Sequence, residues 1–279
     1  MRVHDDELDV DDALVRTLLR EQFPQWADLP LERAGDGTVN VVYRLGDDYS
    51  VRLPRRAERG HVEDRILATF DSLTFEVPRL VAVGAPTADF PWEWVVHTWL
   101  HGAHPTADLP VDDVASLVAE IQAADPAGGP EAAGGRSKPL AFRDEYVRDA
   151  LQRVRAPGAL ELWEQALHAP EWEDERVWIH ADLDRRNVLV RDGRLTGVLD
   201  WGGAGIADPA VDVQVAWKLL APEDRDRFRE RLGVDDATWL RAKGWCVSQA
   251  LIALGYYTPE SNPPLHAEAT RWLASVLDG

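Results

Sequence analysis

The chain has 279 residues, 45% of them hydrophobic and 28% charged, with 49 acidic against 30 basic side chains and a formal charge of −19. That composition supplies a native core for one large domain or two modest ones. It argues against nucleic acid or an anionic membrane as partner, because both are met by basic surface, and it suits a small, cationic ligand better. Cys246, the single cysteine, leaves no internal disulfide. No apolar run approaches the roughly 18 residues of a membrane span, and Met1-Arg2-Val3-His4-Asp5-Asp6-Glu7 is acidic where a secretory leader is basic and then apolar. A cytoplasmic location is expected.

Along the chain, Asp11 to Phe23 puts Leu14, Leu18, Leu19 and Phe23 on one stripe behind a run of aspartates, which predicts a helix with acids at its positive N-terminus. Asn40 to Leu45 and Tyr49 to Leu53 alternate and are rich in β-branched residues; with Gly46-Asp47-Asp48 between them they read as a hairpin ended by Pro54. Glu58 to Phe70 returns to helical spacing, and Val77 to Val83 and Trp92 to Leu100 read as strands. The first hundred residues are thus expected to form a β-rich lobe with one inserted helix.

Residues 101–279 are expected to form a larger helical lobe. Val111 to Ala124, Phe142 to Val154, Ala159 to Leu167, Ala210 to Leu220, Pro222 to Leu232, Ala237 to Leu254 and Pro264 to Leu277 all show apolar residues three and four apart. The glycines between Ala127 and Lys138 predict a flexible surface loop. Strands reappear once, at Val177 to Ile179, Val188 to Arg191 and Leu195 to Leu199, with Asp192-Gly193 as a tight hairpin turn.

That isolated hairpin is bracketed by the residues with most chemistry in them. His180-Ala181-Asp182-Leu183-Asp184-Arg185-Arg186-Asn187 precedes it and Asp200-Trp201-Gly202 follows. Asp182 and Asn187 lie at opposite ends of a short loop, and a hairpin from Asn187 to Asp200 returns its ends to one place. A carboxylate, an amide oxygen and a second carboxylate converging there suit Mg²⁺, a hard cation that keeps waters and takes substrate phosphates. Singly, each residue is equally a turn cap, a strand end or a satisfied core histidine; their joint order favours function.

The order resembles the protein-kinase Asp-Leu-x-x-x-Asn loop followed by Asp-Phe-Gly, with Trp201 in place of Phe. More closely, the chain is similar over nearly its whole length to the aminoglycoside phosphotransferase family of small-molecule kinases. The likeness rests on His180-x-Asp182-Leu183-x-x-x-Asn187-Val188-Leu189-Val190, on Gly197-Val198-Leu199-Asp200-Trp201-Gly202 and on Asp208-Pro209-x-x-Asp212. It implies an α+β, bilobal protein-kinase-like fold, with a nucleotide-binding lobe over 1–100 and a catalytic, substrate-binding helical lobe over 101–279.

The same resemblance implies ATP or GTP and Mg²⁺ as cofactors, Asp182 as catalytic base or orienter of the acceptor hydroxyl, Asn187 and Asp200 as metal ligands, and His180 as support for the loop. Asp208 and Asp212 would be structural, Asp208 capping the helix begun at Pro209. Gly37, Thr38 and Asn40 would cover the nucleotide phosphates, and Thr98 to Leu100 would present backbone to the purine. The family's glycine after the histidine is Ala181 here, a change expected to be tolerated. Its strand lysine is absent: the three lysines are Lys138, Lys218 and Lys243, and Arg52 takes the place, with Glu63 its expected ion-pair partner.

Asp184, Trp245, Gln249 and Tyr256 are candidates for the acceptor site, with Glu260 and Glu268 as further carboxylates for a protonated amine. The expected activity is O-phosphorylation of an aminoglycoside-like hydroxyl compound, with antibiotic resistance as one role the resemblance implies. A macrolide or metabolite kinase of the same fold, or a kinase-like binding module without catalysis, are the alternatives; the missing lysine favours the last, and the presence of Asp182, Asn187 and Asp200 together opposes it.

Overall fold

A computed structural model describes residues 8–36, 40–55, 62–70 and 73–279. The chain divides into two compact units, Met1–Leu67 with Glu76–His101, and Ala68–Phe75 with Gly102–Gly279.

The first unit opens with α1 (Asp12–Gln22), where the Asp11 carboxylate accepts the Leu14 N–H at 2.8 Å and caps the exposed amides of the first turn. Val15, Leu18 and Leu19 of α1 are buried. They belong to one apolar cluster with Val41, Tyr43 and Leu45 of β2 (Asn40–Leu45), Val51 and Leu53 of β3 (Tyr49–Pro54), and Trp94 and Val96 of β5 (Trp94–Thr98). Each such aliphatic side chain taken fully out of water contributes about 1.5–3 kcal/mol. The antiparallel sheet has the order β1-β2-β3-β5-β4.

Two of its strands differ from the sequence expectation. β1 (Leu31–Asp36) has no alternating apolar pattern, because it is an edge strand with a bulge: its register against β2 slips between Arg33 and Gly35. β4 (Leu80–Gly84) starts later than Val77, since Pro78 has no N–H to give to a ladder. Helix α2 (Val62–Leu67) covers the middle of the predicted 58–70 segment. Gly37, Thr38, Arg56 and Arg59 lie outside the described residues.

The second unit is helical: α3 (Val111–Gln122), α4 (Asp144–Arg153), α5 (Ala159–His168), α8 (Arg225–Leu232), α9 (Asp236–Tyr256) and α10 (Pro263–Leu277). The expected single helix over 210–220 is broken into α6 (Ala210–Val213) and α7 (Ala216–Leu219). The side chain of Gln214 donates to the Val211 carbonyl at 2.6 Å, the acceptor that the Val215 N–H would need for a continuous helix, and that N–H bonds to Asp212 instead.

Strand β6 (Val177–Ile179) pairs with a strand that the sequence pattern did not show, β9 (Gly205–Ala207). Three residues are too few for a periodicity. The hairpin of β7 (Val188–Arg191) and β8 (Arg194–Val198) turns through Asp192 (φ 52°) and Gly193 (φ 74°), as a two-residue turn with positive φ at both positions requires.

The glycine-rich segment 127–138 was expected to be a flexible loop, yet it is tied to β9. Ile206 N–H donates to Pro130 O at 2.8 Å, and Ala133 N–H donates to Gly203 O at 3.1 Å. Gly205 makes this approach possible, because a Cβ there would sit 2.6 Å from Pro130 O and from Ala132 N.

Candidate active site

The loop from His180 to Asn187 connects β6 to β7, and its start is held by one buried carboxylate. Asp212, on α6 and 1% exposed, accepts the N–H of His180 at 2.6 Å and of Ala181 at 2.9 Å. Burial pushes the Asp212 carboxyl above the ordinary carboxylate range, while the two backbone donors oppose that shift.

His180 is fully buried, with one ring nitrogen 2.9 Å from the Leu199 carbonyl and the other 3.3 Å from the Asp182 N–H. A carbonyl only accepts and an amide only donates, so this network assigns a neutral imidazole with its proton on Nε2. The ring therefore ties the loop to the last residue before Asp200. Trp201 packs against it edge-on at 4.8 Å, in a cluster with Phe70, Phe75 and Trp178. Its own indole donates to Val198 O at 3.2 Å. The tryptophan that replaces Phe is thus a fully buried plug under the loop.

Asp182 and Asn187 come together as expected. The Asn187 amide donates to the Asp182 backbone carbonyl at 2.8 Å and to its carboxylate Oδ2 at 3.2 Å. With the NH₂ group so used, Oδ1 is the atom left to a hard cation. Across the base of the hairpin, Leu199 N–H donates to Asn187 O at 2.8 Å, which sets Asp200 next in line. Asp200 is exposed and takes the left-handed conformation at φ 61°. Amide and carboxylate oxygens fit Mg²⁺ in chemistry.

Burial raises the Asp182 carboxyl, but the charges of Arg136, Lys218 and Arg186 outweigh it and hold the group below the ordinary range. Arg136 comes from the tethered glycine-rich segment, with Nη2 3.4 Å from Asp182 Oδ1. Sequence spacing gave no sign of it, since 46 residues separate the two. Lys218 was also not foreseen. It is completely buried, donates to Gln249 Oε1 at 2.5 Å and lies 4.4 Å from the Trp272 ring centroid.

The candidate acceptor residues separate. Asp184 is fully buried and its carboxylate faces Arg186, which donates to it from backbone and guanidinium at 2.7 and 2.5 Å, so it does not face an incoming amine. Gln249 is buried under the loop, its amide 3.4 Å from Ala181 O. Trp245 is buried beneath Arg143, whose guanidinium is 5.3 Å from its ring. Tyr256, at the end of α9, is 71% exposed against Tyr257. Seven of the twelve tryptophans, at 94, 163, 178, 201, 217, 245 and 272, are core residues.

In the first unit, Arg52 and Glu63 form the expected ion pair, both side chains mostly buried. Beside it, Asp64 of α2 bonds to His97 of β5 at 2.6 Å. Asn40 begins β2 opposite Pro54. Thr98 N–H donates to Arg79 O and Trp99 N–H to Asp48 O, at 2.9 and 2.7 Å. Asp208, expected to cap a helix begun at Pro209, lies one residue ahead of the N-cap Pro209; it accepts the Ala210 N–H at 2.9 Å and also pairs with Arg241 at 2.7 Å. Arg55, just after β3, is 7% exposed.

Comparison with known proteins gives this geometry its context. The chain is 28% identical over 210 residues to the uncharacterized protein YcbJ of Bacillus subtilis, a match covering 66% of this chain and 67% of that one. It is 24% identical over 245 residues to the hygromycin-B 4-O-kinase of Escherichia coli, covering 78% and 71% of the two chains. Among solved structures, the GDP complex of aminoglycoside 2'-phosphotransferase-IIIa superposes with a TM-score of 0.69 at 19% identity, over 96% of this chain and 99% of that one. The fold is the α+β, protein-kinase-like one. A sequence profile of the phosphotransferase enzyme family (APH) matches residues 30–245, and the chain belongs to that family of kinase-like phosphotransferases.

Proposed function

We propose that this enzyme transfers the γ-phosphoryl group of a nucleoside triphosphate, ATP or GTP, to a hydroxyl of a small molecule. Asp182 carries the proposal: an ionised carboxylate, held at the end of a buried backbone and imidazole network beside an amide turned to leave its oxygen for a cation. In the reaction the acceptor oxygen bonds to phosphorus, the bond from phosphorus to the bridging oxygen breaks, and the nucleoside diphosphate leaves. Asp182 orients the hydroxyl and takes its proton.

Asn187 and Asp200 would hold Mg²⁺, which when bound offsets the phosphate charge. Arg52, kept in place by Glu63, supplies the cation for the nucleotide phosphates, bidentate where a lysine would be a point charge. Recognition of the purine falls to the backbone of Thr98 to Leu100, where the N–H groups of Thr98 and Trp99 are already engaged. Several relatives are named for aminoglycosides. Of the acids expected to receive an amine, however, Asp184 is taken by Arg186 and Glu268 by Arg271 and the Trp272 indole.

The test is nucleotide turnover with Mg²⁺ and an acceptor panel, read as phosphate mass on product. Asp182→Ala should lower kcat by about 100- to 10,000-fold while nucleotide binding persists; normal kcat in that variant would overturn the assignment. Arg52→Ala should weaken nucleotide binding by about tenfold or more, and Arg52→Lys should recover part of it.

A further inference from the structure

The chain as a whole is strongly acidic, yet the side of Asp182 that meets α9 is not. Arg136 bonds to Asp182 itself. Arg143 is close enough to Arg136 for the two charges to repel, and it rests on Trp245 with its Nε–H donated to Ser248 Oγ at 2.5 Å. Lys218 lies beneath, bonded to the neutral amide of Gln249, which in turn reaches Ala181 O. Three cations thus stand in one group with a single carboxylate, Asp182, bonded among them. Of the other acids near them, Asp184 is paired with Arg186, Asp144 with Arg148 and the Trp163 indole, and Glu268 with Arg271, while the buried Asp212 is held by the N–H groups of His180 and Ala181.

Two unmatched polar atoms beside Arg143 have the same sign. Arg136 Nε and Trp245 Nε1 are buried with no hydrogen-bond partner among the described residues, although Trp245 is only 1% exposed. Both are donors, and a buried donor is satisfied by an acceptor oxygen. Burial, with the repulsion of Arg136 added, brings the Arg143 guanidinium down to about 10, a desolvated cation whose charge an anion would stabilise. Phe142 and Tyr146, 53% and 55% exposed, flank Arg143 in the chain and offer apolar contact.

On the assumption that the proposed kinase activity holds, we propose that the acceptor carries an oxyanion, a carboxylate or a phosphate ester, near the attacked hydroxyl, and that Arg136 and Arg143 bind it. A polycationic acceptor would meet like charge there, which costs affinity. Arg143 is then a specificity-determining residue and Asp182 keeps its role toward the hydroxyl.

The test uses the full chain with saturating Mg²⁺ and ATP, and four matched sugars: glucosamine, glucose, glucuronate and glucose 6-phosphate, with kanamycin as a polycation. Phosphorylated product is read by mass. Binding of each sugar is read by calorimetry with Mg²⁺ and ADP present, so that the answer does not depend on turnover. At least one of the two anionic sugars should exceed glucosamine and kanamycin by about tenfold in binding or in kcat/KM, and which one does so distinguishes carboxylate from phosphate. Arg143→Gln should remove the preference by raising KM or Kd with kcat little changed, and Arg143→Lys should retain most of it.

Equal or better binding of glucosamine or kanamycin overturns the inference, as does the absence of any anion preference in the wild-type chain. Binding of ADP with Mg²⁺ is measured in the same samples. Its loss would count against the kinase activity itself, whereas nucleotide binding without anion preference would count only against the acceptor charge.

Discussion

The loop that carries Asp182 has two sides that are satisfied in different ways. Toward β9 and α6, its polar groups meet backbone, one imidazole and the shared carboxylate of Asp212, and its apolar surface rests on Trp201. Toward α9, it meets Arg136 and the buried amide of Gln249 above Lys218, and donors remain there without acceptors among the described residues. The first side holds a geometry and is closed; the second has charge to spare and suits a ligand. Changes on the first side should therefore cost stability without changing which acceptor is preferred, and changes on the second should do the reverse.

The largest effect expected on the closed side is that of Trp201→Ala. The indole is fully buried among Phe70, Phe75 and His180, so its removal should cost about 3–5 kcal/mol in denaturant unfolding. Trp201→Phe keeps an aromatic plug and should lose far less. Equal losses in the two variants would show that the ring packing is not what supports the loop.

Asp212→Ala comes next. It leaves the N–H groups of His180 and Ala181 buried and unpaired, a loss of about 2–4 kcal/mol, and Asp212→Asn, with one acceptor oxygen, should recover part of it. Arg136→Gln, on the other side, should change stability by less than about 1 kcal/mol and alter acceptor KM. A variant of either side that did the opposite would break the distinction between them.

The closed side could be read from sequence because local order encodes it. The loop, the hairpin with its Asp192-Gly193 turn and the Asp208 bond to the start of α6 all lie within some thirty residues, and each has a residue type with one preferred conformation or bond. The Arg52–Glu63 pair was legible for the same reason, a strand and the helix after it. Arg136 was not legible, because glycines around it suggested mobility, while its position comes from backbone bonds to β9, a strand too short to show a pattern. Lys218 was hidden by the break between α6 and α7, which sets it under the loop rather than on a helix surface. Tertiary pairing decided both, and no period in the sequence records it.

A smaller effect, with a pH signature, concerns the hairpin's outer anchor. The Asp113 carboxylate of α3 is bonded by the Arg194 guanidinium at 2.6 Å and by the Leu195 N–H at 2.9 Å. The Arg194 bond, aided by Leu195 and opposed by burial, holds the carboxyl below the ordinary range. A depressed folded-state pKa stabilises above the unfolded value, about 3.9, and the contribution is lost as pH falls through the folded value. Asp113→Asn should thus cost about 1 kcal/mol at neutral pH, with the gap to wild type closing as pH drops below about 4. A gap independent of pH would mean that the ion pair contributes nothing through its charge.

The smallest effect separates strain from function within the closed side itself. Ala181 is buried at φ 78°, a conformation that costs a residue with a Cβ about 1–2 kcal/mol. Glycine would relieve that, but it gives up more freedom on folding, by about 0.5–1 kcal/mol. Ala181→Gly should therefore stabilise the chain by no more than about 1 kcal/mol, with kcat near that of wild type because Asp212 and His180 still fix the backbone on either side. If stability rises and kcat falls by about tenfold, the methyl group does more than the loop tolerates: it holds Asp182 in place, and the bonds from Asp212 and His180 are insufficient alone. If stability falls, the φ at this position is enforced by the surrounding packing, and the strain is smaller than the entropy that alanine saves.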